Sequence, residues 1–175
     1  MSPELYVRAL RFASAAHGEQ RMPDGDHPYL VHVTSVAIEV VAALHAEPGR
    51  NEDLAVACAL LHDVVEDTDV GSDIIEREFG ASVAKGVVAL SKRASVPKEE
   101  RMADSLRRIR EQPHEVWMVK LADRVTNLLP PAPKHWDAAK KAKYRSEGQQ
   151  ILDALGEASP HLAERLRKRI ADYPV

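Results

Sequence analysis

Apolar residues recur at spacings of three and four along almost the whole chain, and this helical period restricts the fold more than any other feature. Strand-like alternation is scarce, and aromatic residues make up only 5% of the sequence. The sequence therefore predicts an all-α fold, a bundle of about eight to ten helices. The clearest apolar stripes are Leu5–Ala9–Phe12–Ala16 and Val33–Val36–Val40–Leu44.

Prolines, glycines and capping side chains divide this pattern into segments. Asn51 and Ser159 are good N-cap residues, and a turn-rich loop covers residues 18–27. No repeat, low-complexity stretch or domain-sized linker interrupts the chain, so we expect one domain over residues 1–175. The predicted helices cover about residues 3–16, 29–45, 51–68, 72–80, 82–92, 98–112, 115–129, 135–155 and 160–173.

Composition excludes several functional classes. The net charge of −3 argues against a general nucleic-acid binder. A single cysteine, Cys58, rules out a disulfide framework and a thiolate zinc site. No apolar run is long enough to span a membrane, and the N-terminus does not resemble a secretion signal. We therefore expect a cytoplasmic protein that interacts with neither membranes nor nucleic acids.

The segment LLHDVVEDT, residues 60–68, places a histidine and three acids where the pattern predicts buried helix. On one continuous helix, four of these polar side chains would lie around the same side, because they are one, three and four residues apart. They are His62, Asp63, Glu66 and Asp67. Burying unpaired carboxylates is very costly. A divalent cation removes that cost, because it neutralises the charge and accepts the lone pairs.

Two further polar residues lie on apolar helical segments and could complete a metal site. His32 follows Tyr29, Leu30 and Val31, and Asp123 follows Leu121 and Ala122. Taken singly, His32 could be a core histidine, and Asp123 could pair with a neighbouring base. Taken together, two histidines and two carboxylates favour a metal. The mixed nitrogen and oxygen set suits Mn²⁺, Fe²⁺ or another six-coordinate ion, with positions left for water and substrate.

Three segments carry a resemblance to a known family: residues 28–32 (PYLVH), 60–68 (LLHDVVEDT) and 120–128 (KLADRVTNL). Their order resembles the H…HD…D signature of the HD-domain metal-dependent phosphohydrolases. More narrowly, they resemble the hydrolase domain of the RelA/SpoT family, which hydrolyses guanosine tetra- and pentaphosphate, (p)ppGpp, at the 3′-diphosphate. The resemblance covers about residues 13–144. It implies an HD-type helical bundle and a stand-alone small hydrolase without a synthetase domain.

The resemblance also implies a role for each motif residue. Glu66 and Asp67 would position and deprotonate the attacking water, which is bound to the metal. Attack on the 3′-linked phosphoryl group would release pyrophosphate and GDP or GTP. The implied Mn²⁺ ligands are His32, His62, Asp63 and Asp123.

Four other residues match positions that the family uses for substrate. Asn127 would lie near the nucleoside, Arg21 on the guanine side, Lys98 near the phosphates, and Tyr144 would close the pocket. The chain departs from the family pattern twice, because Met22-Pro23 follows Arg21 and residues 128–131 (LLPP) follow Asn127. Both departures remove positive charge, and they leave the exact nucleotide open.

Two alternatives therefore accompany the guanosine alarmone as the expected ligand. The chain could be an HD phosphatase for another nucleotide, such as a dinucleotide 2′-phosphate or a deoxynucleoside monophosphate. It could also be a catalytically silent HD module that binds a nucleotide or a protein partner. The sequence leaves the oligomeric state open, and a homodimer is compatible with it.

Overall fold

The computed structural model describes residues 1–23 and 25–174, and this part of the chain is helical with no β-strand. The all-α prediction is confirmed, and the number of helices falls within the predicted range. A 3₁₀ turn, Gly156–Ala158, separates the last two helices. The α-helices are α1 (Pro3–His17), α2 (Leu30–Ala46), α3 (Glu52–Leu61), α4 (Val64–Asp67), α5 (Ser72–Phe79), α6 (Ala81–Leu90), α7 (Arg101–Arg110), α8 (His114–Asn127), α9 (Ala138–Leu155) and α10 (Pro160–Asp172).

Capping side chains begin several of these helices, as their sequence predicts. Asn51 Oδ1 accepts the N–H of Leu54 at 3.1 Å and starts α3. Ser159 Oγ accepts the N–H of Leu162 at 3.1 Å and starts α10, with Pro160 in its first position. Each cap satisfies a backbone donor that has no partner inside the helix.

The predicted continuous helix over residues 51–68 is wrong, because the chain turns at His62 and Asp63 between α3 and α4. His62 Nδ1 lies 2.8 Å from the carbonyl oxygen of Ala59. In an uninterrupted helix that carbonyl would accept the N–H of Asp63. Where α3 ends, the His62 imidazole thus replaces a backbone N–H as the hydrogen-bond partner of the Ala59 carbonyl.

Helices α2, α3 and α8 pack against one another at the centre of the fold, and α1, α6, α9 and α10 surround them. Residues 54–61 of α3 and 116–126 of α8 are buried without interruption. A helix that is buried on all sides cannot keep its polar residues at the surface. Polar side chains on these central helices must therefore find their hydrogen-bond and charge partners inside the protein.

None of the described helices combines the length and the apolar character needed to cross a membrane.

Gly86 lets α6 approach α3 and α8 closely. A Cβ atom at this position would lie 2.7 Å from Cys58 Sγ and 3.0 Å from Val116 Cγ2. Such distances are below van der Waals contact, so the backbones could not keep their separation around a larger residue.

We expect Gly86→Ala to lower the free energy of unfolding by about 1–3 kcal/mol, because the clash outweighs the gain of about 1 kcal/mol in helix propensity. Urea unfolding of the two proteins measures the change. Combining it with Cys58→Ala removes the nearest blocking atom, so the double variant should lose less than the sum of the single variants. Strictly additive losses, or a stabilised Gly86→Ala, would contradict this packing.

Candidate functional site

Four polar side chains from three parts of the fold converge where α2, α3 and α8 meet. His32 Nε2, on α2, lies 3.5 Å from both Asp63 Oδ2 and Asp123 Oδ1. His62 Nε2 lies 3.0 Å from Asp63 Oδ2 and 3.9 Å from Asp123 Oδ1. The structure therefore brings the four predicted ligands together. The ligand atoms of His32, His62 and Asp123 all lie within 4.8 Å of one another, a spacing that one ion could bridge.

His62 is oriented as a metal ligand would be. A carbonyl oxygen can only accept, so the contact with Ala59 places the proton on Nδ1 and leaves the lone pair on Nε2. That Nε2 is buried, has no hydrogen-bond partner among the described residues, and lies 3.0 Å from Asp63 Oδ2. Burial would lower the pKa of His62, but the charge of Asp63 outweighs it and raises the pKa. A buried ring nitrogen turned toward two carboxylates fits a cation.

Asp123 is held on both oxygens by residues of its own helix. Lys120 Nζ donates to Oδ2 at 2.9 Å, and the Asn127 amide donates to Oδ1. Burial alone would raise the pKa of Asp123, but the charge of Lys120 and the bond to His32 outweigh it and hold the pKa well below its usual range. The carboxylate therefore stays ionised.

Asp63 is supported by Tyr29, the residue that directly precedes α2. The hydroxyl of Tyr29 donates to Asp63 Oδ2. Burial would raise the pKa of Asp63, but His62 and His32 outweigh it and hold the pKa well below its usual range. Burial and the charge of Asp63 raise the pKa of Tyr29, so the hydroxyl remains a donor.

The metal-free cluster binds a proton where a cation would bind. Burial would lower the pKa of His32, but its contacts with Asp123 and Asp63 outweigh burial and raise the pKa to about 9. An imidazolium between two carboxylates balances part of their charge. The pocket thus favours positive charge at its centre.

Glu66 and Asp67 lie on α4, one turn beyond the cluster. Lys92 holds Glu66 twice, with its backbone N–H 2.7 Å from Oε2 and its Nζ 2.9 Å from Oε1. Burial would lower the pKa of Lys92, but Glu66 outweighs it and raises the pKa. Burial, followed by the charges of Asp63 and Glu66, raises the pKa of Asp67.

Lys92 is placed by a buried arginine on α7. The Arg108 guanidinium donates to the carbonyls of Val88 and Ala89 at 2.7 and 3.0 Å, and to that of Ser91 at 2.8 Å. These are carbonyls at the end of α6, where a helix lacks internal donors. Arg108 therefore fixes the chain immediately before Lys92.

A cleft of about 350 Å³ opens over the cluster and contains both acids of α4. Asn127 and Tyr144, two predicted substrate residues, are in its wall. Its lining consists of Tyr29, Asp63, Glu66, Asp67, Lys92, Lys120, Asp123, Arg124, Asn127, Tyr144 and Glu147.

The other two predicted substrate residues lie away from this lining. Arg21 is exposed and donates to the carbonyl of Asp26 at 2.6 Å. Lys98 is exposed in the turn before α7. Sequence reasoning gave no role to Lys92 or Arg124. The motif segment KLADR contains Arg124, so the sequence could have indicated this residue as part of the site. No motif or spacing in the sequence indicates Lys92.

Tyr144 forms one wall of the cleft together with Arg124. The Arg124 guanidinium lies 4.0 Å from the centre of the Tyr144 ring and also donates to the Tyr144 carbonyl at 3.3 Å. Trp136 packs edge-on against the same ring, with 4.9 Å between centroids. Stacked in this way, the aromatic wall is fixed before any ligand enters.

Residues 9–160 match the family described as HD domain. The chain belongs to the HD domain family. It is similar to guanosine-3′,5′-bis(diphosphate) 3′-pyrophosphohydrolase MESH1 of Danio rerio, with 31% identity over 172 residues that cover 95% of this chain and 93% of the relative. The human MESH1 is 32% identical over 168 residues, covering 92% and 90%.

A solved structure of a metazoan ortholog of SpoT, described as hydrolysing ppGpp, superposes on this HD domain with a TM-score of 0.84 and 26% identity. The match covers 98% of this chain and 96% of that one. The predicted likeness to (p)ppGpp hydrolases is therefore confirmed. An HD domain with this cluster of imidazoles and carboxylates implies a divalent metal.

We expect metal binding to release protons, because His32 with a pKa of about 9 is protonated in the metal-free protein at neutral pH. Since the pKa of His62 is raised as well, the apparent affinity for Mn²⁺ should rise at least about tenfold per pH unit between about pH 7 and about pH 9 and level off above that range. Titration calorimetry in buffers of different ionisation enthalpy counts the released protons. The exposed variant His45→Ala should give the same profile, and an affinity independent of pH would contradict this arrangement.

Proposed function

We propose that this chain hydrolyses guanosine tetraphosphate and pentaphosphate at the 3′-diphosphate, releasing pyrophosphate and GDP or GTP. The observation that carries the proposal is the position of Glu66 and Asp67, which line one cleft with Asp63 and Asp123, the two carboxylates of the cluster. Relatives that this chain covers almost completely are named for this reaction. The motif, the geometry and the relatives agree.

We propose Mn²⁺ as the metal and the four converging residues as its ligands. Two imidazoles and two carboxylates offer a mixed set that Mn²⁺ and Fe²⁺ accept, and the set has no thiolate. A bound divalent cation would polarise the scissile phosphoryl group and lower the pKa of a water. The chain contributes the orientation of the ligands, through Ala59 for His62 and through Lys120 for Asp123.

Glu66 and Asp67 are the proposed proton acceptors for the attacking water. The raised pKa of Asp67 makes this carboxylate a stronger base than an ordinary aspartate, which favours proton transfer near neutral pH. Lys92 holds the neighbouring Glu66 in one orientation. A base must be fixed within hydrogen-bond reach of the proton that it removes, and this support provides that.

Cationic and aromatic residues of the cleft would bind the rest of the substrate. Lys92, Lys120 and Arg124 line it and would stabilise negative charge on the phosphates. Asn127 and Tyr144 are the proposed nucleoside contacts. Arg21 and Lys98 stay predictions for the guanine and phosphate ends, and both lie on exposed segments outside the cleft lining.

One observation favours a second candidate, a phosphatase for a less highly charged nucleotide. Lys92 and Lys120 are already paired with Glu66 and Asp123, so the cleft offers a polyphosphate little unpaired positive charge. The products formed from guanosine tetraphosphate distinguish the two candidates.

We expect metal-stripped protein to be inactive and to recover turnover of guanosine tetraphosphate when Mn²⁺ is restored, with pyrophosphate as the product. Separate assays for pyrophosphate and orthophosphate measure this. Orthophosphate alone, or no turnover with the metal bound, would contradict the proposal and favour another phosphorylated nucleotide or a binding module.

We expect Asp63→Ala to lose both Mn²⁺ binding and turnover, because it removes a ligand. Glu66→Gln should keep Mn²⁺ affinity and lower kcat by about 10²–10⁴-fold, because it removes a proton acceptor without removing a ligand. Calorimetry and initial rates measure the two properties separately. Glu78→Gln, exposed on α5, is the matched control, and wild-type rates in Glu66→Gln would disprove the assigned role.

A further inference from the structure

Glu66 and Asp67 also line a second cavity, of about 580 Å³, which is distinct from the cleft over the metal cluster. The acid pair therefore lines two cavities, and one of them holds groups to which the proposed hydrolysis assigns no role. The remaining lining of this cavity comes from the end of α1 and the turn after α4, namely Ala16, His17, Gln20, Thr68 and Asp69.

His17 is the last residue of α1, and its side chain is buried, with 6% of the residue exposed. Its ring packs on that of Tyr29, with 4.8 Å between centroids. Its Nδ1 lies 2.8 Å from Gln20 Oε1. An amide oxygen can only accept, so Nδ1 carries the proton and the imidazole is the donor. Nε2 is buried and finds no hydrogen-bond partner among the described residues.

Gln20 is fixed through its backbone as well as its side chain. Its N–H donates to the carbonyl of His17 at 2.9 Å, and its own carbonyl accepts the N–H of Tyr29 at 2.8 Å. With Oε1 taken by His17, the amide nitrogen is left free to donate elsewhere. Gln20 and Asp67 line the same cavity, so the carboxylate of Asp67 is the acceptor that this cavity offers to the amide.

The Gln20 side chain favours the charged form of Asp67 and so opposes the rise in the pKa of Asp67 that burial and Asp63 cause. The opposite amide orientation would turn an oxygen toward the carboxylate, which is repulsive. One orientation of the Gln20 amide therefore meets both requirements. Its oxygen accepts the Nδ1–H of His17, and its nitrogen is turned toward the carboxylate of Asp67.

We propose that His17 and Gln20 are positioning residues for Asp67: the imidazole of His17 fixes the amide of Gln20, and that amide orients the carboxylate that receives the proton of the attacking water. The inference rests on the proposed hydrolysis. It gives each acid of α4 its own support, with Lys92 holding Glu66 and Gln20 holding Asp67.

The support matters because α4 has only four residues and ends at Asp67. So short a helix is not stable by itself, and a side chain at its end keeps its orientation only through contacts outside the helix. A loose carboxylate would slow proton transfer without changing how tightly the nucleotide binds.

Steady-state kinetics of the Mn²⁺-loaded full chain on guanosine tetraphosphate test the proposal. We expect Gln20→Ala and His17→Ala to lower kcat about 10–100-fold while KM stays within about threefold of wild type. Mn²⁺ affinity should be unchanged in Gln20→Ala, because this change keeps the backbone bond to Tyr29 and the Gln20 side chain has no hydrogen bond to the four proposed ligands. The exposed residues His45 and Gln149 provide the controls His45→Ala and Gln149→Ala, which should behave as wild type.

Two isosteric variants of His17 separate positioning from packing. The amide nitrogen of Asn can occupy the place of Nδ1, whereas that of Gln reaches the place of Nε2. We expect His17→Asn to recover kcat to within about threefold of wild type and His17→Gln to be as slow as His17→Ala. Because His17 acts through Gln20, the double alanine variant should be no slower than Gln20→Ala alone.

Several results would overturn the proposal: an unchanged kcat in Gln20→Ala, equal losses in His17→Asn and His17→Gln, or losses that multiply in the double variant. If His17 variants fail to fold, Gln20→Ala decides, because that side chain is only half-buried. A wild-type protein that does not hydrolyse guanosine tetraphosphate refutes the proposed function. An active wild type with a fully active Gln20→Ala refutes only the positioning role.

Discussion

His32, His62 and Asp123 are buried, and Asp63 is partly buried, where α2, α3 and α8 meet, and the cost of removing these groups from water determines much of the surrounding structure. Each group has a partner that fixes its orientation: Ala59 for His62, Tyr29 for Asp63, and Lys120 for Asp123. Ala59 and Lys120 lie on α3 and α8, and Tyr29 directly precedes α2. A cation at the centre would balance the carboxylate charge that these side chains leave uncompensated.

The turn at His62 and Asp63, between α3 and α4, determines how the side chains of the site are oriented. Ending α3 one residue before His62 lets the imidazole bond to Ala59. Restarting the helix at Val64 then carries Glu66 and Asp67 away from the cluster and into the wall between two cavities. An unbroken helix would have aligned all four side chains on one face. The break instead separates the proposed metal ligands from the proposed proton acceptors.

Much of the fold and of the cluster could be predicted from sequence, because helical period and motif order are local signals. The helix break could not, since LLHDVVEDT keeps a helical apolar pattern through it. Lys92 could not be predicted either: it meets Glu66 across 26 positions and half of the contact is made by backbone. Arg21 and Lys98 were assigned by motif position alone, and both belong to loops whose course is set by packing rather than by spacing.

The double contact between Lys92 and Glu66 also determines what a substitution at position 92 would change. One of its two bonds comes from the main-chain N–H, so every residue type except proline at position 92 can still make it. Arg108 anchors the preceding carbonyls regardless of that side chain. A substitution at position 92 would therefore keep the backbone bond to Glu66 Oε2 and remove the side-chain bond to Oε1, so it would change the charge of the cleft more than the position of the glutamate.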